Sequence, residues 1–133
     1  MIYFIGAGPG DPDLITVKAQ KILQDADVVL FTGSLVPREV LAICKEECII
    51  EDSQGMKYPE IFDFVTKHKD KKFARVHTGD PSLYSTIAKQ IEFLKEENIP
   101  YEVIPGITAA FGAAASLGIE YTIPGVSQTM ILS

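Results

Sequence analysis

The chain has 133 residues, of which 47% are apolar and 23% are charged, and its formal net charge is −6. This length is typical of one domain of about 100–150 residues, and the acidic balance argues against nucleic-acid binding, which requires a basic surface. No apolar run reaches the roughly 20 residues of a membrane span, and the first residues lack the basic segment and cleavage site of a signal peptide. We therefore expect a cytoplasmic protein with no membrane and no nucleic-acid partner, although a local field can still attract a small anionic substrate.

Short apolar runs alternate along the chain with longer segments of helical periodicity. The predicted strands are Ile2–Ile5, Val28–Phe31, Cys48–Ile50, Phe73–His77 and Tyr101–Ile104. The predicted helices lie near Leu14–Gln24, Pro37–Lys45, Tyr58–Lys69, Leu83–Glu96 and Ile107–Leu117. Runs that are apolar on successive residues are typical of strands covered on both faces. The alternation predicts a single α/β domain over residues 1–133, with a five-stranded, mostly parallel sheet and helices on both faces.

The C-terminal residues Gln128–Ser133 have the composition of the beginning of a sixth strand. Because no polar tail or cap follows them, we expect the chain to be a domain of a longer protein. The lysine-rich stretch Thr66–Lys72 is interpreted as a solvated helix end and turn.

The cysteines and histidines give few indications of a metal or redox site. Cys44 and Cys48 are four residues apart, but no further cysteine or suitably spaced histidine completes a ligand set, so both are interpreted as small buried apolar residues. No metal is expected. We expect His68 to lie on the surface, whereas His77 ends a predicted strand and is a candidate polar site residue.

Three glycine-containing turns follow predicted strands. They are Gly6–Pro12, Thr78–Tyr84 and Pro105–Ala110, and the first two share the tripeptide Gly-Asp-Pro. Since ligands of parallel sheets collect at the carboxyl ends of the strands, we expect the two Gly-Asp-Pro turns to flank one crevice. A structural interpretation stays open, because Asp11 or Asp13 can cap the first helix and Asp80 or Ser82 the fourth.

The first turn does not have the spacing of a dinucleotide fingerprint. Its glycines do not follow G-x-G-x-x-G, and Pro9 removes an amide N–H that a pyrophosphate would need. At the end of the second predicted strand, Thr32–Ser34 stand where an acidic ribose-binding residue is expected.

The chain has no nucleophile elbow, P-loop lysine or H-E-x-x-H motif. A cleft rich in backbone groups and poor in ionisable ones suits a reaction whose cofactor is already activated. Methyl transfer from a sulfonium is such a reaction, since the protein mainly aligns donor and acceptor and excludes water. The segment Phe111–Ala115, which after Phe111 contains only glycine and alanine, is expected to pack closely against a neighbouring helix or a flat ligand.

In combination and in this order, Gly6–Pro12, Gly79–Tyr84 and Val103–Thr108 resemble the tetrapyrrole (corrin/porphyrin) methylase family. Within it, four further segments most resemble the branch that methylates carbon 11 of precorrin-4 or cobalt-precorrin-4. These segments are Gly33–Pro37, His77–Tyr84, Tyr121–Pro124 and Ser127–Thr129. The uroporphyrinogen methylases are similar but carry a Gly-Gly-Asp-Pro-Phe turn where this chain has Thr78–Ser82.

The resemblance implies the amino-terminal half of a two-domain homodimer that binds S-adenosylmethionine between its domains and methylates a ring carbon of a tetrapyrrole during cobalamin synthesis. The residues that it places at the cofactor are Pro9, Thr78, Gly79, Asp80, Leu83, Thr108 and Ala109. Asp11, Ser34 and Tyr84 would face the macrocycle. Asp11 and Asp80 are the candidates for a catalytic role in the proton balance. Because the second domain would supply the remaining cofactor contacts, this segment alone is expected to be inactive.

Two alternatives remain open. One is a related methylase with another acceptor, such as uroporphyrinogen, precorrin-2 or the substrate of diphthine synthase. The other is a nucleotide-binding module without enzymatic activity, which would bind NAD or ATP as well as S-adenosylmethionine.

Overall fold

The computed structural model describes residues Met1–Ser133. Its strands are β1 (Ile2–Gly6), β2 (Val28–Phe31), β3 (Ile49–Asp52), β4 (Phe73–His77) and β5 (Tyr101–Ile104). Its α-helices are α1 (Val17–Asp25), α2 (Arg38–Leu41), α3 (Tyr58–Lys67), α4 (Ile87–Glu96) and α5 (Ala109–Leu117), and a 3₁₀-helix covers Pro12–Leu14. The strands form one sheet in the order β3-β2-β4-β1-β5, and every pairing is parallel. The predicted α/β fold is confirmed.

The two faces of the sheet carry separate apolar cores, because side chains alternate along each strand. In β1, Ile5 packs with α1 and α2, whereas Ile2 and Phe4 pack with α3 and α4. In β4, Ala74 and Val76 belong to the α1–α2 side. Helices therefore cover both faces, as predicted.

Two helices begin three or more residues later than their periodicity predicts. Helix α1 begins at Val17, because Pro12–Leu14 form the 3₁₀-helix and the Thr16 hydroxyl caps α1 by accepting the amide N–H of Ala19 at 3.1 Å. Helix α4 begins at Ile87 and not at Leu83, because Tyr84 and Thr86 adopt positive φ angles of 57° and 53° that interrupt a right-handed helix. Neither Asp80 nor Ser82 caps it, since Thr86 occupies the N-cap position.

The sixth strand predicted at Gln128–Ser133 is wrong. These residues are exposed and form no ladder, and the nearest pairing is an isolated antiparallel bridge between Ile123 and Ser127. A strand requires a neighbouring strand for its backbone groups, and none in this chain lies beside this segment. None of the helices is both long and apolar enough to cross a lipid bilayer.

His68 is buried, contrary to the expectation that it lies on the surface. It is 8% exposed at the end of α3, and its ring centroid lies 4.7 Å from that of Phe64. Cys44 and Cys48 are free and half-buried against the α1–α2 core. Burial raises the pKa of the Cys44 thiol to about 12, which fits an apolar rather than a reactive role.

His77 is a buried, uncharged histidine at the carboxyl end of β4. It is 3% exposed, stacks on Phe4 with 6.2 Å between ring centroids, and its Nε2 has no hydrogen-bond partner. Burial, and next the positive charge of Arg75, lower the His77 pKa to about 3. The imidazole is therefore neutral at pH 7.

We expect the folded chain to lose stability as the pH falls below about 6.5, because the unfolded chain then protonates His77 and the folded chain does not. The free energy of unfolding of the wild type, from urea denaturation, should fall by about 2 kcal/mol more between pH 7 and pH 5 than that of His77→Phe. Equal pH dependence of the two proteins, or an NMR titration of the His77 ring near pH 6.5, would contradict this assignment.

Candidate functional site

The candidate site lies where β1 and β4 end side by side. The chain leaves β1 toward α1 on one face of the sheet and leaves β4 toward α4 on the other. Such a reversal opens a crevice at the carboxyl ends of neighbouring parallel strands. The loops after both strands meet here through a short antiparallel bridge between Gly8 and Gly79, whose amides donate to each other's carbonyl oxygens at 3.2 and 2.8 Å. The two Gly-Asp-Pro turns thus flank one crevice, as predicted.

Gly6, Gly79 and Gly106 bring three loop backbones into contact at the base of the crevice. A Cβ atom on Gly6 would lie 2.5 Å from the Gly79 carbonyl oxygen and 2.7 Å from the Gly106 Cα. A Cβ atom on Gly106 would also overlap the Gly79 carbonyl oxygen. At positions 6 and 106, only a residue without a side chain permits this approach.

Asp80 ties two of these loops together. Its Oδ2 accepts the amide N–H of Gly106 at 2.9 Å, and its Oδ1 accepts the amide N–H of Ser82 at 2.8 Å. One carboxylate therefore fixes both its own turn and the turn after β5. The role of Asp80 in the structure is thus to hold the backbone of these two turns in place.

The crevice opens into a cleft of about 340 Å³, a volume within the range of small-molecule sites. Backbone turns and small side chains form most of its wall. It is lined by Gly8, Pro9, Leu35, Thr78, Gly79, Asp80, Leu83, Tyr84, Ser85, Thr108 and Ala109.

Helix α5 begins at the wall of the cleft. Thr108 occupies its N-cap position without a side-chain cap, and the amide groups of Thr108, Ala109 and Ala110 donate no hydrogen bond in the structure. The unpaired N–H groups and the helix dipole make this end of the cleft attractive to an anionic ligand group.

A second cavity of about 340 Å³ shares Pro9 and Ala109 with the cleft and is also lined by Asp11. Helix α5 approaches the first loop closely here, since a Cβ on Gly112 would lie 2.6 Å from the Pro9 Cβ. The small residues of α5 thus pack on the loop after β1. The sequence had suggested a neighbouring helix or a flat ligand as the partner of Phe111–Ala115. Asp11 is exposed, and its Oδ1 accepts the amide N–H of Asp13 at 2.9 Å, so it caps the 3₁₀-helix.

All seven residues predicted to contact the cofactor line the cleft. Of the residues predicted to face the macrocycle, Tyr84 also lines the cleft, Asp11 lines the adjoining cavity, and Ser34 lines neither. Ser34 is exposed in the turn after β2. Gly8, Leu35 and Ser85 line the cleft without having been singled out, although each belongs to a segment with the family resemblance or directly follows one. The predicted polar site residue His77 lies in the core beside the site and does not line the cleft.

The structure contains no group of three or more histidine, cysteine, aspartate or glutamate side chains arranged to hold a metal ion. The ionisable side chains in the wall of the cleft are Asp80 and Tyr84.

The model of the tetrapyrrole (corrin/porphyrin) methylase family matches residues 1–133. The chain belongs to this family. Among its curated relatives, the cobalt-precorrin-4 C(11)-methyltransferase of Methanocaldococcus jannaschii is 45% identical over 134 aligned residues. The match covers 99% of this chain and 52% of that relative. The chain thus spans about half the length of the curated relatives it matches.

Solved structures of tetrapyrrole methylases superpose closely on this chain. A cobalt-precorrin-4 methyltransferase involved in cobalamin biosynthesis has a TM-score of 0.93 at 45% identity, over 96% of this chain and 54% of that one. The uroporphyrin-III C-methyltransferase of Thermus thermophilus, solved with S-adenosylhomocysteine, has a TM-score of 0.81 at 34% identity, over 96% of this chain and 56% of that one. The predicted family and its fold are confirmed.

Replacing Gly6 by alanine should destabilise the chain by about 2–3 kcal/mol, because the new Cβ would overlap backbone atoms that have no room to move. Gly55→Ala is the control. Gly55 has a φ of +85°, but no atom lies within 4 Å of the place that an alanine Cβ would take, so its cost is conformational only, about 1 kcal/mol. Urea denaturation measures both, and a smaller loss for Gly6→Ala than for Gly55→Ala would contradict the close approach.

Asp80→Ala should destabilise the chain by about 2 kcal/mol, because it removes two charge-assisted hydrogen bonds to backbone amides. Asp80→Asn keeps one carbonyl oxygen as acceptor, so its loss should be smaller. Asp63→Ala, an exposed aspartate on α3, serves as the control and should leave the unfolding midpoint nearly unchanged. Equal stability of Asp80→Ala and Asp63→Ala would show that the carboxylate does not hold the loops.

Proposed function

We propose that this chain is the amino-terminal domain of an S-adenosylmethionine-dependent methyltransferase that methylates carbon 11 of precorrin-4 or cobalt-precorrin-4 in cobalamin biosynthesis. The observation that carries the proposal is the cleft at the ends of β1 and β4, which collects all seven residues expected at the cofactor. The 45% identity to a cobalt-precorrin-4 C(11)-methyltransferase supports the choice of substrate.

The cleft has features that fit S-adenosylmethionine. The unpaired amide groups at the start of α5 suit its carboxylate, and the three close-packed turns offer backbone donors and acceptors to its polar groups. The Thermus thermophilus relative was solved with S-adenosylhomocysteine, the demethylated product of this cofactor. We infer that Pro9, Thr78, Gly79, Asp80, Leu83, Thr108 and Ala109 hold the cofactor.

When bound, the sulfonium supplies an electrophilic methyl group, which a nucleophilic ring carbon takes while the carbon–sulfur electron pair returns to sulfur. The chain's own residues then have to align the two reactants and exclude water. Asp80 holds the turns after β4 and β5 in register, with both carboxylate oxygens engaged by amides. Asp11 and Tyr84 remain the candidates to face the macrocycle, and Oδ2 of Asp11 has no hydrogen-bond partner within the chain.

The whole protein would be a cytoplasmic homodimer whose second domain closes the cleft. The exposed apolar surface of α5 supports such a cover, since Phe111 is 55% and Leu117 is 71% exposed. Any cobalt would belong to the substrate.

Titration of the chain with S-adenosylhomocysteine should raise its melting temperature in a saturable manner, because a ligand that binds only the folded state stabilises it. NAD and ATP at the same concentrations should leave the melting temperature unchanged. A rise of equal size with all three ligands would favour a general nucleotide-binding module, and no rise with S-adenosylhomocysteine would contradict the proposed cofactor site.

A matched pair of variants on α5 locates the binding. Ala109→Leu places bulk in the cleft wall and should abolish the shift caused by S-adenosylhomocysteine. Ala115→Leu adds the same bulk at an exposed position of the same helix that does not line the cleft, so its shift should equal that of the wild type. Loss of the shift in both variants, or in neither, would place the cofactor elsewhere.

A further inference from the structure

Arg75 is a buried positive charge that the cofactor cleft does not use. It lies in the middle of β4 on the face covered by α3 and α4, and it is 4% exposed. Burial lowers the pKa of its guanidinium to about 10, so the group still carries its charge at pH 7. A buried charge is costly unless it is paired with an opposite charge.

The hydrogen bonds of Arg75 all go to neutral acceptors. Its Nε donates to the Gln90 side-chain oxygen at 3.1 Å, and its Nη1 donates to the Leu30 carbonyl at 3.2 Å and to the Ser53 hydroxyl at 2.9 Å. Its Nη2 has no hydrogen-bond partner, and none of the three ion pairs in the structure involves it. The carboxylate of Asp52 is near enough to favour the charged form, but its Oδ1 accepts the amides of Gly33 and Gln54.

Arg75 lines a cavity of about 590 Å³ that is separate from the cofactor cleft. Thr32 and Ser53, which follow the carboxyl ends of β2 and β3, also line it, as does Lys57. Its wall thus combines an apolar surface with polar groups that come from the ends of two strands, from Lys57 and from Arg75 itself.

Two helices begin at the wall of this cavity. Tyr58, the first residue of the ten-residue helix α3, and Thr86, which directly precedes the ten-residue helix α4, both line it. No side chain caps α4, its first turn contains no acidic residue, and the amides of Ile87, Ala88 and Lys89 donate no hydrogen bond. At α3, the carboxylate of Glu60 already accepts the amide of Lys57. The α3 terminus is therefore already compensated by a carboxylate, whereas the positive end of the α4 dipole adds to the unpaired guanidinium.

We propose that this cavity is an oxyanion subsite in which Arg75 and the start of α4 bind a carboxylate side chain of the tetrapyrrole substrate. The choice of a tetrapyrrole carboxylate rests on the proposed function, whereas the oxyanion chemistry rests on the cavity itself. A uroporphyrin-type macrocycle carries carboxylate side chains around its rim, and the two N–H groups of Nη2, which Arg75 does not donate within the protein, can form charge-assisted hydrogen bonds to a carboxylate. Ser85 lines the cofactor cleft and the adjacent Thr86 lines this cavity, so a single peptide unit joins the two walls. One macrocycle can therefore present a ring carbon to one site and a side chain to the other.

The test is an NMR titration of the ¹⁵N-labelled chain with sodium acetate, at constant ionic strength maintained with sodium chloride. We expect saturable shifts of the Arg75 Nε–Hε signal and of the amides of Ile87, Ala88 and Lys89. Lys57→Gln should weaken acetate binding several-fold, whereas Lys21→Gln, an exposed lysine on α1 across the sheet, should leave it unchanged. Arg75→Gln, if it folds, should bind no acetate. Shifts that are absent, or that chloride alone reproduces, would show that Arg75 only ties β2, β3 and α4 together.

Two further probes decide the source of the oxyanion. Uroporphyrin III should shift the same signals at a concentration at least tenfold lower than acetate requires, because one molecule presents several carboxylates to the chain. Tighter binding of inorganic phosphate than of uroporphyrin III would overturn the tetrapyrrole assignment. Melting curves with S-adenosylhomocysteine on the same samples separate the two proposals, because the cofactor cleft contains neither Arg75 nor Lys57.

Discussion

The close approach of three backbone turns is the constraint on which the candidate site depends. Gly6 and Gly106 leave no room for a side chain where they meet the backbone of Gly79, and Asp80 fixes the arrangement through the amides of Ser82 and Gly106. The cleft is therefore shaped mainly by main-chain geometry. A site of this kind suits a reaction in which alignment of the reactants contributes more than ionisable groups do.

The cleft and the Arg75 cavity lie at one edge of the same sheet and offer different chemical groups to a ligand. The cleft offers unpaired amides and small residues, whereas the cavity offers a buried cation whose hydrogen-bond partners are all neutral. Arg75 also affects the core, since its charge helps to keep the neighbouring His77 uncharged. The face of β4 toward α3 and α4 thus carries two polar residues. We propose that Arg75 binds a ligand, whereas His77 fills the core beside Phe4.

The sequence was sufficient to predict features that depend on local pattern, and the errors occurred where tertiary contacts decide. Apolar runs located all five strands, and glycine-containing turns located the cleft, because both signals lie in consecutive residues. The start of α4 was missed because its periodicity continues back to Leu83, whereas the loop geometry places Tyr84 and Thr86 at positive φ. His68 was misplaced because its burial depends on packing against Phe64, within a segment of lysines that suggests solvent. The role of Arg75 could not be predicted, since an arginine within an apolar strand shows its lack of an acidic partner only after the chain has folded.

The central claim is that main-chain turns form the site that binds the methyl donor. Its most direct test is to map where S-adenosylhomocysteine contacts the protein. A crystal structure of the complex, or amide shifts measured by NMR, would provide the map. We expect contacts at all three turns together, at Pro9, at Gly79 and at the Thr108–Ala109 start of α5. A ligand seated away from these turns, or touching one of them alone, would contradict it.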